Sequence, residues 1–261
     1  MVPVVARATA CQARRVCGRI TLTIPDALAL ASALGVEPHE IPADYRPRYN
    51  IAPGQFHIVG LGGSPRIRSA RWGLVPHWAK DETIARHTVN ARAETVARKP
   101  AFRGAFRKRR CVVVTDGFYE WHGPKGHRTP FWIHPAGGGL LLLAGLYEPW
   151  SQPAGDPLWT FTVITCPAVA GIAEVHHRMP VMLDADDATR WTDPTTTDPK
   201  ALESLLAPAV PTDLELRPVS RLVNDVRNDD PRLVEPTGPV RTVRRHSASR
   251  TAAPASGFEA P

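Results

Sequence analysis

Five short clusters carry side chains that strands and turns do not need: Cys17-Gly18-Arg19, Arg48-Tyr49-Asn50-Ile51-Ala52-Pro53, Asn90-Ala91-Arg92-Ala93-Glu94-Thr95, Asp116-Gly117-Phe118-Tyr119-Glu120-Trp121 and Val175-His176-His177-Arg178-Met179-Pro180. Singly they say little, since a cysteine is ordinarily an inert buried residue and a Glu before Trp a strand-edge carboxylate. Together they supply a thiol, an amide, a carboxylate, an imidazole and guanidinium groups, the inventory of covalent catalysis. Arginines interleaved with these groups suit a phosphate-bearing substrate better than a peptide.

The four cysteines, at positions 11, 17, 111 and 166, form no CxxC pair and no Cys/His spacing of a zinc site. The expectation is therefore no metal, no cofactor and no disulfide framework, in a reducing cytoplasm. Nothing at the N-terminus has the apolar stretch of a secretory signal. No apolar run approaches the ~20 residues that cross a bilayer.

These groups need a rigid frame. The chain has 261 residues, 43% of them hydrophobic, with 19 Gly and 27 Pro, a composition of many short elements and turns around one core. Asp26 followed by helix formers up to Leu34 and then Gly35 predicts a short helix, and two more are predicted over 186–192 and 199–206. Runs rich in Val, Ile and aromatic residues predict strands over 56–61, 67–72, 111–121, 131–134, 140–147 and 159–165. The expected architecture is α+β: a strongly bent, mostly antiparallel, barrel-like sheet with peripheral helices. Residues 16–238 would form the one domain. From position 239 the sequence turns polar and small, and 239–261 is expected to be a disordered basic tail.

The net charge of +7 is concentrated at the ends. Arg7, Arg14 and Arg15 face no acid within 1–15, and Arg241, Arg244, Arg245 and Arg250 face only Glu259 within 241–261. Any nucleic-acid contact must then come from local patches such as Arg107-Lys108-Arg109-Arg110, not from the overall charge.

Seven motifs stand in one order: Cys-Gly-Arg at 17, Arg-Tyr-Asn-x-Ala-Pro at 48, Trp72-Gly73, Asn-Ala-Arg-x-Glu-Thr at 90, Asp-Gly-Phe-Tyr-Glu-Trp at 116, His-x-Arg-Met-Pro at 176, and Pro218-Val219-Ser220. In that order the chain resembles the SRAP family of abasic-site-processing proteins over roughly residues 16–236. The resemblance implies a protein that binds single-stranded DNA containing abasic sites and crosslinks to them covalently, with lyase or reversal activity and autoproteolysis, acting as a monomer. It makes Cys17 the nucleophile, Asn90 the amide that holds the N-terminus, Glu120 the general acid/base and His176 the histidine of proton transfer and strand release. It implies DNA contacts from Arg19, Arg92, Arg48 and Asn50, and stacking on bases by Trp72, Trp121 and Phe118.

In the family the cysteine follows the initiator Met directly, whereas here Val16 precedes it. Valine is what GTG encodes internally, and the same codon is read as Met at a start. Residues 1–15 are thus either a mis-assigned upstream segment or a propeptide removed by the protein itself. Both alternatives make Cys17 the mature N-terminus, with a free α-amine whose pKa near 8 leaves a fraction able to attack an aldehyde at neutral pH. The thiol of the same residue can then close a five-membered thiazolidine. A cysteine peptidase or N-terminal-nucleophile amidohydrolase acting on proteins in trans would use the same four residues. A non-catalytic single-strand binder would need only the arginines and aromatics. Of the three, the crosslinking reading alone predicts an adduct that survives denaturation.

Overall fold

Short Val-, Ile- and aromatic-rich runs closed by Gly or Pro favour paired strands. The computed structural model describes residues 18–63, 66–152 and 155–246. Along them run β1 (Ile20–Leu22), α1 (Ala27–Leu34), β2 (Arg48–Ile51), β3 (Phe56–Leu61), β4 (Ile67–Trp72), β5 (Asn90–Arg92), α2 (Arg103–Lys108), β6 (Arg110–Thr115) and β7 (Gly117–His122). There follow β8 (Thr129–Pro135), β9 (Leu141–Trp150), β10 (Leu158–Pro167), β11 (Arg178–Pro180), β12 (Met182–Leu183), α3 (Ala185–Thr192), α4 (Pro199–Ser204), β13 (Leu214–Pro218) and β14 (Arg241–Val243). Residues 1–17, which include the proposed upstream segment and Cys17, lie outside the described residues.

The strands form two sheets. One has the order β14-β13-β8-β7-β1-β2 and is antiparallel throughout. In the other, β10, β4, β3, β6 and β9 follow one another and β9 pairs back onto β10, which closes a five-stranded barrel. Closure leaves these five strands without an open edge. β10 organises the whole: its first half runs parallel to β4, its second half parallel to β5, and β11 pairs with its end. The expected bent, mostly antiparallel sheet with helices outside is what forms.

The run 111–121, expected as one strand, breaks at Asp116, where the chain leaves the barrel for the other sheet. Asp116 accepts hydrogen bonds from Thr21 Oγ1 at 2.5 Å, the Thr23 amide at 2.5 Å and Thr23 Oγ1 at 2.6 Å, so its carboxylate pins β1 to the corner. The next position must be glycine, because a Cβ on Gly117 would stand 2.2 Å from Trp132 Nε1. The helices end as their sequences direct. Asp26 caps α1 through the Ala29 amide and Gly35 closes it with φ 63°, while Asp184 caps α3 through the Asp187 amide. On α3, Trp191 is buried and its Nε1 donates to the carbonyls of Cys111 and Gly145, which docks the helix on the barrel.

Helix α2 falls where the sequence showed only a run of cations, and two of the four, Arg109 and Arg110, are engaged within the protein. Arg110 is buried and donates to five carbonyls: Trp191 at 2.6 Å, Phe106 at 3.1 Å, Arg107 at 2.7 Å, Asp193 at 2.5 Å and Thr196 at 3.0 Å. It satisfies carbonyls at the ends of α2 and α3, where the helix dipole favours a cation. Arg109 donates to Glu148 at 2.8 Å. Only Arg107 and Lys108 of the run are exposed. The expected disordered tail also needs correction over its first residues: β14 pairs with β13, and Val210 and His246 form a further bridge.

One buried group gives the fold an acid limit. His57 on β3 donates from Nε2 to the Val114 carbonyl at 2.5 Å, and burial pushes its pKa down to about 4. The unfolded chain would protonate this ring near pH 6.5 while the folded chain holds it neutral. Between pH 6.5 and 4 the unfolded state therefore binds more protons, and stability falls as pH falls. The expected loss from this residue is about 3 kcal/mol. In urea melts at pH 7 and pH 4, His57→Gln should flatten that slope, and an unchanged slope would refute the assignment.

Candidate active site

Strand β1 delivers the N-terminal cluster. Ile20 pairs with Phe118 and Thr21 with Gly117 on β7, and the Tyr119 amide donates to the Arg19 carbonyl at 2.9 Å. One residue further along these two strands are Gly18 and Glu120. Glu120 is only 2% exposed. Cys17 is the covalent neighbour of Gly18. Burial pushes the Cys111 thiol far up and raises Cys166 to about 12, so neither is a nucleophile near neutral pH.

Arg19 is turned inward. It is buried, and its guanidinium donates to Asn50 Oδ1 at 2.6 Å, the Val223 carbonyl at 2.5 Å and the Asn224 carbonyl at 3.5 Å. Burial lowers its pKa, with Tyr119 and then Asp225 opposing. Asn50 is likewise buried and donates to the carbonyls of Val223, Asp225 and Asn228 at 3.2, 3.0 and 2.7 Å. Both residues, expected on DNA, instead fasten the 219–229 segment to β1 and β2. Arg48 pairs with Asp229, whose other oxygen accepts from the amides of Tyr49 at 2.6 Å and Asn50 at 3.0 Å. Trp121 is partly exposed and donates from Nε1 to Asn224 Oδ1 at 2.8 Å.

Two of the expected base-stacking rings are core residues. Trp72 is 1% exposed, donates to the Val89 carbonyl at 2.9 Å and stacks on Phe161. Phe118 is buried too. Among the described residues the most exposed large aromatics are Phe56, 53% exposed, and Trp78, 51% exposed.

The second half of β10 gathers the other residues. β5 lies parallel to it with Asn90 opposite Val163, Ala91 opposite Ile164 and Arg92 opposite Thr165. Strand alternation buries Ala91 and turns Asn90 and Arg92 to the opposite face, Asn90 partly covered and Arg92 exposed. His176 sits in the 168–177 segment that joins β10 to β11, its amide donating to the Ile172 carbonyl at 3.0 Å. The Arg178 amide reaches His176 Nδ1 at 3.2 Å.

Arg178 ties these strands together. It makes a bidentate pair with Glu94 at 2.7 and 2.9 Å and donates to the Thr165 carbonyl at 2.6 Å. The pair holds the Glu94 carboxyl below the usual carboxylate range. Asn90, Arg92 and His176 thus share one end of β10, and Gly18, Arg19, Glu120 and Trp121 form the second group. Both stand on one apolar core, to which Ile20, Phe118, Ala91 and Val163 all belong. Sequence reasoning gave Arg178 no role, although it lies inside the His-x-Arg-Met-Pro motif. Asp229 had no signal, because its partners are about 180 residues away. Among the described residues no group of three His, Cys, Asp or Glu side chains could hold a metal ion.

A closed five-stranded barrel, flanked by an antiparallel sheet whose β1 carries the start of the described chain to a buried carboxylate, defines the class of protein. Residues 16–226 match the family model described as SOS response associated peptidase (SRAP). The chain belongs to that family. It is 40% identical over 223 residues to the abasic site processing protein YoqW of Bacillus subtilis, a match that covers 84% of this chain and 99% of the relative. It is 36% identical over 226 residues to the abasic site processing protein HMCES of Gallus gallus, covering 74% and 67%. A crystal structure of a Bacteroides thetaiotaomicron protein has the same fold, with TM-score 0.75, 24% identity and coverage of 84% of this chain and 99% of that one.

Proposed function

We propose that this protein processes abasic sites in single-stranded DNA by capturing the ring-opened aldehyde on a mature N-terminal Cys17. The α-amine adds to the aldehyde and water leaves, giving an imine. The thiol of the same residue then adds across that imine to close a thiazolidine, with no oxidant or cofactor needed. Asn90 holds the terminal amine, Glu120 moves the protons of ring opening and imine formation, and His176 serves the reverse or strand-release step.

The observation that carries this reading is the course of β1: its pairing with β7 brings Gly18, the residue bonded to Cys17 in the sequence, alongside the buried Glu120. The described cysteines are thiols without nucleophilic character, which leaves the N-terminal cluster as the source of the chemistry. The relatives named for abasic site processing supply the substrate class. Exposed cations give a strand its path, since Arg92, Arg98, Lys99, Arg103, Arg107 and Lys108 face solvent with Glu94 as the sole acid from 92 to 108.

Intact mass of the full-length chain, before and after incubation with a single-stranded oligonucleotide carrying one abasic site, tests the proposal. The expected result is a chain beginning at Cys17 that gains one oligonucleotide and keeps it under denaturation. A chain beginning at Met1 that forms the same adduct would overturn it. Separately, Arg92→Ala should weaken binding and make the slope of log affinity against log salt shallower by about 0.7, the single-strand value for one phosphate contact. An unchanged slope would remove Arg92 from the phosphate path.

A further inference from the structure

Strand β14 lies beyond the 16–226 region that matches the family, and it touches the segment that carries His176. The contact is close. A Cβ on Gly171, whose φ is +86°, would stand 2.6 Å from Val243 Cγ2, so the glycine backbone is in direct contact with that side chain. The next residue, Ile172, is fully buried, and its carbonyl accepts from the amides of Val175 at 2.9 Å and His176 at 3.0 Å. From the same strand, Arg241 pairs with Glu174 at 2.8 Å, two residues before His176. Both ends of that ion pair are exposed, so the Val243 contact carries more of the effect than the charge pair does. The seam is otherwise loose, with a cleft of about 460 Å³ beside it lined by Val169, Ala170 and Thr242 among others.

β14 is itself held against movement. It pairs with β13 from Leu214 to Leu216, Arg244 pairs with Asp213 at 2.7 Å, and the Arg245 amide donates to the same carboxylate at 2.7 Å. A strand fixed at its base and pressed on a glycine turn restricts where that turn can go. A Cβ at position 171 would have neither the space nor the backbone conformation.

We propose that residues 239–246 are a brace that sets the position of His176, with Val243 and Arg241 as positioning residues acting through Gly171 and Glu174. The kinetic part rests on the role given to His176 above, whereas the mechanical part does not. The two are separated by measuring hydrogen exchange in the free, full-length protein alongside the pH profile of strand release from the adduct.

In Val243→Ala the amides of Ala173, Val175 and His176 should exchange faster, on the order of tenfold, with β6 and β9 unchanged. The limb of the pH profile that depends on His176 should fall on the order of tenfold, since small misplacements of a reacting group cost rate steeply, while capture of the abasic site stays as in the parent. Val243→Thr, which keeps the shape, should restore both. Unchanged exchange over 168–177 would overturn the brace, as would a rise shared by the whole chain with no recovery in Val243→Thr. If the parent forms no adduct at all, the functional reading fails and the exchange data alone decide the brace.

Discussion

Replacing Cys17 with alanine is expected to abolish the denaturation-stable adduct with abasic DNA, the largest effect any single substitution in this chain should have. The thiazolidine needs both nucleophiles of one residue. The amine, with a pKa near 8, is unprotonated in roughly a tenth of molecules at pH 7, and the imine it forms hydrolyses readily. The thiol makes the capture durable, because it attacks from the same residue at an effective concentration that can reach on the order of 10⁵ M. In a Cys17→Ala chain whose mature terminus is residue 17, borohydride should still trap an imine while untreated samples show no adduct on a denaturing gel. Cys111→Ala and Cys166→Ala should leave the adduct intact, as both thiols are buried and held protonated. Full-yield adduct from Cys17→Ala without reductant would sink the mechanism.

What the sequence discloses follows the range of the interaction that decides each feature. The caps of α1 and α3 are local, so Asp26, Gly35 and the acid-rich start of α3 mark their helices without tertiary information. Strands β3, β4, β9 and β10 are long enough for their apolar runs to show. The three-residue strands β1, β5, β11 and β14 exist only because a longer neighbour offers its backbone, and no periodicity announces them. The same distinction divides the site. Asn90, Glu120, His176 and Arg92 are recognisable by motif. The fate of Arg19, Asn50 and Trp72 was not legible, because it depends on partners such as Val223 and Val89 that only the fold brings near. A guanidinium inside a catalytic motif looks the same in sequence whether it meets a phosphate or a backbone carbonyl.

Glu120→Gln should slow adduct formation by about 10²–10³-fold, within the usual contribution of general acid–base catalysis, while leaving affinity for intact single-stranded DNA unchanged. The side chain is fixed in place by its strand. Glu120 pairs with Phe131 across β8, and its neighbours are anchored in turn, Tyr119 OH donating to the Tyr49 carbonyl at 2.9 Å and Trp121 Nε1 to Asn224 Oδ1 at 2.8 Å. Glutamine keeps the volume and can still hydrogen-bond, so the substitution removes proton transfer with little change in packing. Ring opening of the sugar and loss of water from the carbinolamine both require a proton to move at the reacting oxygen, and an amide cannot move it. Glu120→Asp retains the acid but withdraws it by one methylene, so its rate should fall between the two. Single-turnover kinetics at saturating DNA isolate this step from binding. A Glu120→Gln chain that reacts at the parent rate would remove Glu120 from the chemistry, whereas a fall that appears only as weaker binding would make it a structural carboxylate of β7.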